Sequence, residues 1–202
     1  MALLDIFRRR PAVHDREALA DFIDRNAAFL IQKAIYEYSR ARAGHYSKVL
    51  FKEAGFHAAV EVSRWRAYPL GLVMVTEVTY AVLCREGRRP TPEEFDSLVA
   101  VVMSVFDRYP APQVVGNAEW EAMREDLALR LAQIALHPPK RAMDIPEPFA
   151  KPYFDLMPIH EKLRGRDLET TRNYLKVTLC NIHDELTKAS GGLSFPALAA
   201  AV

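Results

Sequence analysis

The chain has 202 residues, enough to bury a substantial core and a natural length for one domain. Hydrophobic residues make up 50%, charged residues 26%, and the formal net charge is +1, the composition of an ordinary soluble globular protein. Near-neutrality excludes a global electrostatic pull on nucleic acid or on an anionic membrane. The two cysteines, Cys84 and Cys180, lie far apart in helical patterns and resemble no secreted disulfide framework, so a cytoplasmic location is expected.

The chain opens with MALLDIFRRRP, whose apolar residues precede its arginines, the reverse of a secretory signal. Residues 1–14 read as an amphipathic arm, and any membrane contact through residues 1–10 would be peripheral. From Asp15 the pattern turns helical. Leu19, Phe22, Ile23, Ala27, Leu30, Ala34 and Tyr38 fall at three- and four-residue steps on one stripe, and the helix is expected to stop near Gly44. A second stripe, Phe29 with Tyr36 and Ile31 with Ile35, widens the apolar surface beyond what one neighbour covers.

Ser47 suits the cap of a second helix running towards Arg66, with Gly55 inside it. Residues 67–84, AYPLGLVMVTEVTYAVLC, are apolar on every side and predict a central helix that other helices must wrap. Glu77 in its middle and the charged pair that follows Cys84 make the run too short for a membrane crossing. Its β-branched residues suggest a strand, but its length and the absence of internal turn residues favour helix. Tyr68 is disfavoured in the α conformation by Pro69, so a break is expected there, as a tight hairpin or as a kink. The sequence leaves both open.

After Gly87 as a stop, Thr91, Pro92 and Glu94 form a capping-box pattern that opens a helix continuing to Phe106. Asn117 is the expected cap of a helix reaching about His137, with Trp120, Leu127 and Leu131 on its stripe. Residues 138–158 hold six prolines and read as a long irregular loop, while Phe149, Tyr153 and Phe154 argue that it packs on the body. A last helix follows from Asp167 to about Ser190, and residues 191–202 read as a flexible apolar tail behind a glycine hinge. The predicted fold is therefore all-α: one domain over residues 15–190, with six to eight helices around residues 67–84.

Glu77 is the most pointed candidate for a site, because a carboxylate on a central helix needs a partner or a water-filled pocket. A hairpin at Pro69 would bring His57 and Glu61 opposite it, with Tyr80 and Trp65 beside them, and these five are the candidate ligand-binding residues. Against a di-metal centre, none of the six histidines has a glutamate three residues before it. Cys180 and His183 form an isolated pair, too few ligands for zinc, and neither a catalytic set, a metal site nor a cofactor is identified. Phosphate-binding loops and the common hydrolase motifs are absent.

Basic residues gather over residues 40–66 and 85–89, a pattern that can track phosphates, although the neutral total argues against nucleic acid. The leading expectation is a non-enzymatic, regulatory interaction protein, homodimeric or bound to another protein through apolar helix surface. A helical protein with an internal pocket for a hydrophobic ligand, cofactor or metal near Glu77 is the alternative.

Overall fold

The computed structural model describes residues 12–84, 87–159, 167–191 and 193–199. Its helices are α1 (Arg16–Ala43), α2 (Ser47–Leu50), α3 (Ala54–Leu83), α4 (Pro92–Phe106), α5 (Asn117–Gln133), α6 (Ala150–Asp155), α7 (Leu168–Ala189) and α8 (Phe195–Ala199). No strand occurs among the described residues, and the fold is all-α as the hydrophobic periodicity predicts. None of the described helices is long and apolar enough to cross a membrane. Of the arm expected over residues 1–14, residues 1–11 lie outside the described residues, and Val13 is buried.

Local signals set several helix ends. The Asp15 side chain accepts the Ala18 N–H at 2.8 Å and starts α1, and Gly44, at φ 50°, ends it where a side chain would be strained. Thr91 and Glu94 form the expected reciprocal capping box at the head of α4: the Thr91 hydroxyl accepts the Glu94 N–H, and the Glu94 carboxylate accepts the Thr91 N–H. Asp167 occupies the cap position of α7, yet its carboxylate turns to the Tyr38 hydroxyl and the Arg42 guanidinium of α1, each at 3.3 Å.

The central helix differs from its expected form. It starts at Ala54, includes Pro69 in its interior and runs unbroken to Leu83, so residues 47–66 and 69–84 do not form a hairpin. Ser47 opens only the short α2, and Gly55 lies in the first turn of α3. Proline inside a helix costs about 3 kcal/mol, through the lost N–H and its clash with the preceding turn. Burying one or two large apolar side chains, at about 1.5–3 kcal/mol each, offsets that cost. Here every residue from Ala67 to Tyr80 is buried, which outweighs the local preference to break. The hydroxyls of Thr76 and Thr79 stay satisfied by donating to the Leu72 and Val75 carbonyls.

Helix α1 makes the most extensive contact with α3. The crossing is close because Gly71 has no Cβ; one placed there would stand 2.7 Å from Ile31 Cγ1 and 3.1 Å from the Ala27 carbonyl oxygen. Helices α4 and α5 cover other sides of α3, and α7 packs against both α1 and α3. The proline-rich stretch is held to the body as its aromatics suggested: Ile145, Phe149, Tyr153 and Phe154 are buried, and the Tyr153 hydroxyl donates to the Ile31 carbonyl at 2.9 Å. It also contains α6, which the prolines conceal in the sequence.

The two ends of the domain are tied together. The Val13 N–H donates to the Ala189 carbonyl at 3.0 Å, and Val13 is buried. Beyond Gly191 the apolar tail does not stand free, because α8 lies on α4 with Phe195 and Leu198 fully buried. Phe195 packs edge-on against Tyr80 at 6.3 Å, with the Arg88 guanidinium over its ring.

Candidate functional site

Glu77 is only 3% exposed, and its partner is Lys140 from the segment after α5. Helix α5 tightens into a 3-10 turn at Ile134–Leu136, His137 is extended, and Pro138–Pro139 carry the chain back over α3. Lys140 Nζ then donates to Glu77 Oε1 at 2.6 Å, with His137 Nε2 3.8 Å from the same oxygen. Glu77 Oε2 is buried with no hydrogen-bond partner among the described residues. One carboxylate and one ammonium neutralise each other, and no group of three or more candidate metal ligands exists among the described residues.

Of the other four sequence candidates, Tyr80 stays beside Glu77, while His57, Glu61 and Trp65 do not. Because α3 is one helix, Glu61 stands about 24 Å from Glu77 along the axis, at about 1.5 Å per residue. A ring nitrogen of His57 lies 2.6 Å from the Phe51 carbonyl oxygen, which ties α3 to the turn before it. Glu61 Oε1 accepts from Arg64 at 2.7 Å and from the Trp65 indole N–H at 2.9 Å. Tyr80, one turn from Glu77, packs against Phe95 and pairs with the Cys84 thiol; burial raises the pKa of both groups. The candidates therefore divide into a centre at Glu77 and Tyr80 and a second at Glu61 and Trp65.

A further cluster forms beside Trp65, and the sequence reading missed it. The Asp24 carboxylate of α1 accepts the hydroxyls of Tyr68 at 2.7 Å and Tyr109 at 2.9 Å, and Arg108 reaches it at 3.5 Å. Burial, and then the bond to Asp24, push both phenols above their ordinary range, Tyr68 furthest. Trp65 meets Tyr68, Tyr109 and Trp120 edge-on at 5.3–6.0 Å, and Trp120 stacks on Phe106 at 4.2 Å. A cleft of about 200 Å³ opens over this floor, between Gln32 of α1 and Arg64 of α3. Asp24 follows Ile23 directly on α1, so periodicity reads it as the solvent side of the stripe; its partners come from α3 and the end of α4.

A wide opening lies between α1 and α7. This groove of about 570 Å³ is lined by Phe29, Lys33, Glu37, Tyr174 and Val177 among others. A second cleft of about 310 Å³, sharing Glu37 and Tyr174, continues along the same pair of helices to Tyr38 and Met157. Phe29 is 49% exposed and Val177 62%, although each sits on a helix whose opposite face is core. The second stripe expected on α1 is thus divided: Ile31 and Ile35 are buried, while Phe29 and Tyr36 face outward.

The expected basic stretches are neutralised in part. Arg64 pairs with Glu61, Arg66 holds Glu119 through two bonds, and Arg88 bonds Glu94. Over residues 40–52 the cations are less committed. Arg42 reaches Asp167, whereas Arg40, Lys48 and Lys52 make no ion pair with a described residue. The chain matches no protein-family model, no curated protein and no solved structure.

Proposed function

We propose that this protein is a non-enzymatic, cytoplasmic interaction protein of regulatory type that pairs with a second copy of itself through the groove between α1 and α7. The observation that carries the reading is the outward placement of Phe29 and Val177 on the two walls of an otherwise continuous groove. Apart from Tyr36, the other large apolar side chains of α1 are largely buried, so Phe29 and Val177 are apolar surface that folding alone does not use. Lys33 and Glu37, one turn apart beside Phe29, offer opposite charges that a two-fold partner can exchange. The test is sedimentation equilibrium across a wide concentration range, with wild type and a Phe29→Glu/Val177→Glu variant. A dimer mass that the variant converts to monomer supports the reading. A monomer mass for wild type at every concentration removes it.

A second reading, a pocket for a small hydrophobic ligand, is favoured by the cleft over Trp65, Tyr68 and Tyr109 rather than by Glu77, which sits in packed core. Native mass spectrometry of freshly purified protein tests it. An added mass that vanishes on denaturation, and is absent from Trp65→Ala, supports this pocket; apo protein throughout counts against it.

A further inference from the structure

The turn that joins α1 to α3 is built unlike the rest of the molecule. None of the residues of its 3-10 segment Gly44–Tyr46 or of α2 is buried. Tyr46 is 77% exposed and Val49 58%, so these two side chains point into solvent. Arg40, Arg42, Lys48 and Lys52 flank them along the chain, and no acidic residue occurs between Glu37 and Glu53. This concentration stands out in a chain of net charge +1, whose other cationic stretches are largely paired with carboxylates.

The turn is also held in place from beneath. The Phe51 ring lies between Tyr36, at 5.9 Å, and Phe56, at 5.0 Å, and its carbonyl is bridged by His57. Leu50 and Phe51 pack against the core while Tyr46 and Val49, on the other side, do not. A packed base therefore presents an apolar tip within a stretch of chain rich in positive charge.

We infer that residues 40–52 form a contact site for an anionic lipid surface, with Tyr46 and Val49 entering the headgroup region and Arg40, Lys48 and Lys52 meeting lipid phosphates and carboxylates. Charge complementarity supplies the attraction, and tyrosine is suited to the boundary between water and acyl chains. An aliphatic tip such as Val49 is favoured by lipid and has no place against a phosphodiester backbone. Helix α2 has four residues, too few to lie along a nucleic-acid groove, which makes lipid the better match. A single such element gives reversible attachment, the behaviour of a peripheral protein.

The experiment is co-sedimentation of the full chain with vesicles of phosphatidylcholine containing phosphatidylserine, alongside vesicles of phosphatidylcholine alone. Binding is expected only to the anionic vesicles and should weaken as salt is raised. Each Lys or Arg near such a surface strengthens binding about fivefold, so Lys48→Ala/Lys52→Ala should weaken it roughly 30-fold. Tyr46→Ser/Val49→Ser should also weaken it while leaving the salt dependence in place. Both variants alter exposed side chains, and unchanged thermal unfolding verifies that they fold. Three outcomes overturn the inference: no binding to anionic vesicles, binding that neither variant reduces, or displacement of the protein from vesicles by single-stranded oligonucleotide at the same salt, which reassigns the site to nucleic acid.

Discussion

Gly71 on α3 lies directly beneath Ile31 on α1, so close that a methyl group on Gly71 would meet Ile31 Cγ1 at 2.7 Å. Ile31 can turn aside, but the Ala27 carbonyl oxygen, 3.1 Å away, belongs to the α1 backbone and moves only with the helix. Gly71→Ala should therefore destabilise the protein by about 1–3 kcal/mol despite the better helix propensity of alanine. Gly55, in the first turn of the same helix, has open space around it, and Gly55→Ala should stabilise by about 0.4–1 kcal/mol. Urea unfolding of the two variants separates crowding from propensity. Equal signs for both would remove the close-crossing argument.

The Glu77–Lys140 pair should be costly to break and cheap to replace. Lys140→Met leaves a carboxylate stranded on the central helix and should cost about 2–4 kcal/mol, near the low end for buried pairs because Lys140 keeps some contact with water. Glu77→Leu/Lys140→Met removes both charges, and most of the loss should return. A double variant no more stable than Lys140→Met, measured by denaturant midpoint, would show that the pair holds the 138–149 segment by geometry instead.

Only part of this arrangement can be read along the chain. The capping box at Thr91 and Glu94 is legible because both partners lie within one turn. The all-round burial of α3 from Ala67 to Tyr80 is legible because it leaves a long apolar run. Lys140 as the partner of Glu77 is not, since a distant ammonium leaves no periodic trace. Pro69 misleads for a related reason: its effect on the preceding residue is local, whereas the burial that overrides it comes from helices elsewhere in the chain. The tail misleads because apolar residues behind glycines look alike whether or not a groove awaits them.

Alkaline pH should act through Asp24. Tyr68 and Tyr109 are raised above the ordinary phenol pKa, so the unfolded chain loses these protons first and the native state binds more protons above about pH 10. Their contribution to stability is complete below that pH and falls as pH rises towards the folded values. Tyr68→Phe should cost about 0.5–1.5 kcal/mol at neutral pH, and its gap from wild type should narrow above pH ~10. Unfolding measured at a series of alkaline pH values checks this; a constant gap would contradict it.

Truncation before α8 should expose the groove that Phe195 and Leu198 fill on α4. Ending the chain at Gly191 is expected to lower stability by about 3 kcal/mol or more, near the cost of emptying one large aromatic site. It should also raise binding of an apolar fluorescent dye. Phe195→Ala should reproduce most of the stability loss. A truncated chain as stable as the full one would mean that α8 covers surface already content in water.

The hydrogen bond from Val13 to Ala189 bears on how the chain is born. Helix α1 leaves the ribosome before α7, which completes one of its walls from more than 100 residues further along the chain. Until then the flank of α1 beside Tyr174 and Ile182 has nothing to rest on, and Tyr153 has not yet reached the Ile31 carbonyl. Synthesis of the stretch between them therefore holds a half-covered apolar helix in water, an interval in which a nascent chain depends on chaperones.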